Sequence, residues 1–261
     1  MVLPWHDENP VSRAPVMTWL LIAINVVVFL LSPAATTPLG PKTSAELCSQ
    51  AHYYEHWGAI PKEMFTGHQV VTHTLYSEGG VVHSCADDTR QKSPLLSVLT
   101  SLFVHGGWLH LLGNMLFLWV FGNNVEDRFG RLRYLLFYLG CGVAATFGHA
   151  ALSTGSTTSL VGASGAIAGV LGAYLVLFPR VRVLSSLTFL FFLPLRLPAW
   201  LVLGGWFALQ YLYFRGAGVS AGAGVAYGAH VVGFVVGMVF ALLVGRMARR
   251  ERPERARAFG W

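Results

Sequence analysis

The sequence predicts an all-α membrane protein, a six-transmembrane-helix bundle with a long extracytoplasmic first loop. Three observations predict it. Hydrophobic residues make up 54% of the 261-residue chain and charged residues only 11%, a balance that excludes an ordinary soluble domain. Six apolar segments, at roughly 16–32, 108–124, 134–152, 164–178, 198–214 and 225–245, approach the length needed to cross a bilayer. With the N-terminal segment placed in the cytoplasm, 13 of the 18 Lys and Arg residues fall on the inner side, as the positive-inside rule requires.

Taken in order, residues 1–15 form a cytoplasmic N-terminal segment. The first apolar segment has the small-residue exit of a signal peptide, but Asp7 and Glu8 outweigh Arg13 in its leader, so it reads as a retained span. The 75 residues at 33–107 are too rich in Trp, Tyr and Phe for a bare linker and read as a small packed insertion on the outer side. Within it, PLLSVLTSLFV at 94–104 has the pattern of an amphipathic segment lying at the interface. The stretch 183–195 is also apolar, but Pro194, Arg196 and Pro198 interrupt it, and it reads as interfacial. The membrane domain thus covers 16–245, and 246–261 forms a basic cytoplasmic tail. The net charge of +6 is concentrated in that tail, where Arg246, Arg249, Arg250, Arg252, Arg255 and Arg257 follow the last apolar run. This is a topology signal and a contact for anionic lipid, and nucleic acid is not an expected partner.

The chemistry-bearing residues gather at one level of this topology. Ser164 opens the fourth segment in VGASGAIAGVL, between Gly162 and Gly165, after the polar run STGSTTS. A helix N-terminus there offers unpaired N–H groups where negative charge could develop. Gly, Ala and Ser are also the usual material of close helix packing, so this stretch alone decides nothing. His110 and Asn114, four apart in the second segment, share one helix face near its outer end. His230 is expected about two turns into the sixth segment, roughly 10 Å deep. Spans two, four and six all run inward, which puts the four residues in one shallow layer. Polar groups inside spans are costly, and their default reading is functional. Gly165, Gly169, Gly233 and Gly237 would let the fourth and sixth helices approach closely enough for a Ser–His hydrogen bond. A neutral histidine can take the proton of a serine hydroxyl and make it a nucleophile. No acidic residue lies in the outer halves of the spans, so a dyad is the expected limit, with His110, Asn114 and the Ser164 amide as oxyanion donors.

These residues resemble the rhomboid family of intramembrane serine proteases, in the bacterial-type six-span form. The matching motifs are GASG at 162–165, the His110–Asn114 pair, AHVVGFVVG at 229–237 and EDRFG at 126–130, and the likeness runs from the DENP near the start to the sixth span. The resemblance implies Ser164 as nucleophile, His230 as base, and an oxyanion hole of His110, Asn114 and the Ser164 amide. It implies structural roles for Glu126 and Arg128, and a lateral substrate gate at the fifth span and its outer loop. The implied activity is cleavage of transmembrane protein substrates in the plasma membrane, with no cofactor and no metal. Two departures stand out. The aromatic residue that many members carry four after the serine is Ala168 here, and their Trp-Arg pair before the second span is Leu96-Ser97.

Other groups carry weaker readings. His149 and Cys141 read as packing residues. Cys48 and Cys85 share the outer loop, where a disulfide is favoured over two free thiols. A metal site is the rival reading, because Cys48, His52 and His56 would share one helical face. An inactive relative that binds membrane proteins is disfavoured by the intact Ser164 and His230. A transporter is disfavoured because the inner halves of spans four and six, GAYLVLF and GMVFALLVG, form an apolar floor.

Overall fold

The computed structural model describes residues 2–36, 43–70, 75–78, 81–85, 90–187, 193–216 and 225–258. In chain order the elements are β1 (Val2–Asp7), α1 (Val16–Leu30), α2 (Pro33–Thr36), α3 (Ser44–Trp57), α4 (Pro61–Thr66), β2 (Leu75–Glu78), β3 (Val81–Ser84) and α5 (Pro94–Thr100). After a 3-10 turn at Ser101–Phe103 come α6 (Trp108–Phe129), α7 (Arg131–Ala151), α8 (Ser164–Leu177), β4 (Arg182–Leu187), β5 (Leu193–Pro198), α9 (Ala199–Phe214) and α10 (Tyr227–Ala258). The fold is mostly helical. Helix α7 and the Tyr227–Val244 part of α10 are long and apolar enough to cross a membrane, and α5 with α6 qualifies as a pair bent by 78°. Helices α1, α8 and α9 are shorter apolar helices.

Helix α8 is the centre of the bundle. Every residue from Gly165 to Tyr174 is buried, and α6, α7, α9 and α10 all pack on it. Its sequence allows this because it is small and apolar throughout, so neighbours can close on all sides. The outward faces of the other helices carry Leu20, Val27, Leu112, Trp119, Leu136, Leu209, Val239 and Leu243, all exposed. A continuous apolar exterior of this kind suits lipid as the solvent.

Helix ends are held by polar groups from other elements. Pro15 precedes α1 without a side-chain cap, and the buried Glu126 carboxylate of α6 supplies one from outside. It accepts from the Met17 N–H at 2.9 Å, the Thr18 N–H at 2.8 Å and the Thr18 hydroxyl at 2.8 Å. A carboxylate at a helix N-terminus meets both the unpaired donors and the positive end of the dipole. Arg128, expected beside it as a structural partner, is exposed. Gly130, at φ 81°, joins α6 directly to α7 in a turn that side chains resist.

The described residues of 183–195 form β4 and the start of β5, a secondary structure that their apolar pattern did not announce, and β4 is the centre of an antiparallel sheet ordered β1-β4-β5. Strand β1 pairs with β4 from Val2 opposite Leu187 to Asp7 opposite Val183. Pro194 and Pro198 sit in the outer strand β5, where a missing N–H is tolerated. Asp7 then reaches the helices. It is 3% exposed and accepts from Asn124 Nδ2 at 2.7 Å and the Tyr174 hydroxyl at 2.6 Å. Burial pushes its carboxyl above the usual range, against the lowering effect of the Tyr174 bond.

The 33–107 region contains α2–α5, the short β2–β3 hairpin and a disulfide between Cys48 and Cys85. The capping box of Thr43 and Glu46 starts α3. Lys92 Nζ pairs with Glu63 at 2.6 Å, both side chains being buried, and burial pulls the Lys92 ammonium below its ordinary pKa. With Cys48 bonded to Cys85, the Cys48–His52–His56 face of α3 presents no thiolate for a metal. The basic run at 246–258 continues α10 as helix.

Candidate active site

Three helix N-termini converge here. Ser164 is the first residue of α8, His230 the fourth of α10, and His110 the third of α6. His230 thus lies about one turn from the described start of its helix, shallower than the two turns expected, because α10 begins at Tyr227. The Ser164 hydroxyl donates to His230 Nε2 at 2.8 Å. His230 is 8% exposed, so bulk water does not compete for this bond.

The glycines explain how α8 and α10 come this close. A Cβ added at Gly233 would collide with the carbonyl oxygen of Gly165, and one at Gly237 with that of Gly169. At Gly165 it would sit 2.7 Å from the Ala145 Cβ, and at Gly169 2.6 Å from the Cys141 sulfur. Backbone therefore meets backbone along the α8–α10 seam, with α7 filling the third side.

The loop into Ser164 is fixed from two directions. Gly162 donates its N–H to the Ser101 carbonyl at 2.9 Å. Leu160 pairs with Ala59, N–H to carbonyl in both directions, at 2.7 and 3.0 Å. Gly162 has φ 123°, and a Cβ there would lie 2.8 Å from the His110 ring. The chain needs glycine at this position twice over, for its backbone and for the ring above it.

His110 lies beside Gly162, and Asn114 follows it one turn later on α6. His110 Nδ1 accepts from the Gly106 N–H at 3.3 Å, which leaves the proton on Nε2, the atom facing Gly162. Asn114 is buried, and its Nδ2 has no hydrogen-bond partner among the described residues. A buried amide donor with nothing to bind is costly unless a ligand or transition state uses it.

Sequence reasoning missed four neighbours. His105, fully buried, holds its ring edge against His110 at 5.1 Å between centroids. Trp206 of α9 lies 5.8 Å from the His230 ring and Tyr227 6.3 Å from it, edge-on. Gln210 of α9 accepts from His230 Nδ1–H at 2.8 Å through Oε1. Ala168 is fully buried and offers His230 no aromatic face, so Trp206 fills from α9 the role expected of α8. Gln210 did leave a signal: it is the single amide in the otherwise apolar run AWLVLGGWFALQYLYF.

Comparison with known proteins gives the family. The Rhomboid domain profile matches residues 92–247, which hold Ser164, His230, His110, Asn114 and Glu126. The yeast Saccharomyces cerevisiae "Rhomboid protein 1, mitochondrial" is 28% identical over 170 residues, 63% of this chain and 46% of its own length. "Rhomboid protease GluP" of Bacillus subtilis is 44% identical over 85 residues, 30% of this chain and 15% of its own length. "Putative rhomboid protease YdcA" of the same organism is 38% identical over 82 residues, 30% of this chain and 39% of its own length. The chain therefore spans less than half the length of each of these relatives. The domain profile covers more than half of the chain and takes in every helix that contributes to the site: this is a multi-pass membrane protein of the rhomboid family.

Proposed function

We propose that the protein is an intramembrane serine endopeptidase that cleaves single-span membrane proteins near the outer face through a Ser164–His230 dyad. The observation that carries this reading is the 2.8 Å bond from the Ser164 hydroxyl to His230 Nε2, in a site that two glycine-lined helices close. Ser164 Oγ attacks the scissile carbonyl carbon as His230 Nε2 takes its proton. Charge that develops on the carbonyl oxygen is met by His110 Nε2–H, Asn114 Nδ2 and the Ser164 amide. The tetrahedral intermediate collapses to an acyl-enzyme as His230 returns the proton to the leaving amine. Water then repeats the sequence with the same base and releases the second fragment.

In this reading α1, α6, α7, α8, α9 and α10 make the six spans of a bacterial-type plasma-membrane enzyme. Residues 1–15 and the tail at 246–261 are cytoplasmic, and the 33–107 insertion is outside. The charge distribution supports that orientation. A shallow site cannot attack an intact helix, whose carbonyls are already hydrogen-bonded, so substrate must unwind near its outer end.

The experiment is cleavage of a model single-span substrate by purified protein in lipid, wild type against Ser164→Ala and His230→Ala. Both variants should fold with unchanged Tm and lose activity. Near-wild-type cleavage by either one would remove the dyad.

A further inference from the structure

Among the described residues no carboxylate stands behind the dyad, yet its histidine is not left free. A general base at Nε2 requires the neutral tautomer with the proton on Nδ1, and some acceptor has to hold that proton. Gln210 Oε1 lies 2.8 Å from Nδ1, opposite the Ser164 bond on the same ring. The ring is thus fixed at both nitrogens, while Trp206, one turn earlier on α9, covers it at 5.8 Å. If the amide were turned to present its NH2 group, Nδ1 would have to accept. Nε2 would then carry the proton and could not receive one from Ser164.

We propose that Gln210 is the positioning residue of the active site: its amide oxygen holds His230 Nδ1–H and so presents Nε2 to Ser164. The inference rests on the dyad reading and adds the third member that the described acidic residues do not supply. A neutral amide fixes tautomer and ring angle as a carboxylate would, but gives the imidazolium less charge stabilisation. It also ties the base to α9. Burial in that helix is confined to Ala199, Val202 and Leu203 at its first turn, whereas Gln210 rides on the looser half. Displacement of that half of α9 withdraws the acceptor from Nδ1.

The other titratable groups near His230 are His110 on α6, His149 on α7 and Tyr227 one turn back on α10. None of them changes when Gln210 is replaced, so a shifted pH profile reports on the Gln210–His230 pair.

The test uses the full chain in lipid vesicles with Gln210→Met and Gln210→Glu, beside Ser164→Ala. Three readouts are taken: kcat and KM on a single-span substrate, the pH–rate profile, and the rate of Ser164 labelling by a fluorophosphonate. Labelling needs the base but not the admission of a transmembrane helix. Gln210→Met should lower kcat and the labelling rate together, by about 10–100-fold, with KM within a few-fold of wild type. Gln210→Glu keeps the acceptor and should retain more activity, with the acid limb of its profile moved up by about 1–3 pH units. That shift follows whether the extra proton sits on the carboxylate or the imidazole, since the pair titrates together. Wild-type labelling by Gln210→Met with an unmoved profile in Gln210→Glu would overturn the proposal. So would a raised KM at unchanged kcat, which would make Gln210 a substrate contact. Should Gln210→Met fail to fold, the Gln210→Glu profile decides alone. Activity persisting in Ser164→Ala would instead overturn the dyad itself, a result distinct from either.

Discussion

At the scale of single residues, most donors and acceptors of the site have their partners assigned, and Asn114 is the informative departure. His110 has its tautomer set by the Gly106 N–H, and His230 is held at both nitrogens, whereas Asn114 Nδ2 is buried without a partner. An oxyanion donor should look like this before substrate arrives. Asn114→Ala should therefore lower kcat by about 10²-fold with little change in KM, because the bond it would make exists only in the transition state. A raised KM at constant kcat would make Asn114 a docking residue. His110 and Asn114 were legible in the sequence because two polar residues four apart in an apolar run are conspicuous. Gln210 was not read out, since a lone polar residue in a span does not say which helix it faces, and His105 lies outside the apolar segments altogether.

At the scale of elements, the α8–α10 seam does the most to hold Ser164 against His230. Replacing Gly237 by Ala would push a methyl group into the Gly169 carbonyl, while Gly204 of α9 has open space around its Cβ position. Gly237→Ala should destabilise by about 1–3 kcal/mol through overpacking. Gly204→Ala should be neutral or stabilise by about 0.4–1 kcal/mol. Thermal unfolding of the two variants in the same detergent checks both, and equal Tm values would mean that the seam relaxes freely. The sequence announced the seam through the spacing of its glycines. It did not announce the β1-β4-β5 sheet, because residues 2–7 and 182–198 are far apart in the chain and carry no shared periodicity. That sheet closes on Asp7, whose carboxyl is held above the ordinary range by burial. A raised folded-state pKa means that its stabilising contribution is complete below the unfolded value and is lost as pH rises through the folded one. Asp7→Asn should therefore gain stability at pH 7 relative to wild type while losing any advantage near pH 3, as a Tm series against pH would reveal. A wild-type advantage at pH 7 would mean that the charged form is the one these bonds favour.

At the scale of the whole molecule, the 33–107 insertion is part of the frame around Ser164. It reaches the loop before Ser164 through the Ala59–Leu160 pair and through Lys62, whose N–H donates to the Ser156 carbonyl at 3.0 Å. The Cys48–Cys85 bond closes a separation of 37 residues in this insertion. On the chain-entropy account it contributes about 3–4 kcal/mol. Cys48→Ser should lower the Tm, and limited proteolysis should nick the insertion before the helices. Alkylation of both outer cysteines under non-reducing conditions, read by intact mass, would remove the bond from this account.

What the sequence determined by itself was whatever a repeating local pattern can encode: apolar runs, their flanking cations, polar residues one turn apart, and small residues three and four apart. Those set the helices and the rhomboid motifs that carry Ser164, His230, His110 and Asn114. Only the tertiary structure decided what crosses between distant segments. It gave Glu126 to the N-terminus of α1, β1 to β4, the insertion to the loop before Ser164, and Gln210 and Trp206 to His230. The reason is physical. A hydrogen bond or a ring contact between residues a hundred positions apart leaves no periodicity in either segment, and exists only once packing has chosen which faces meet.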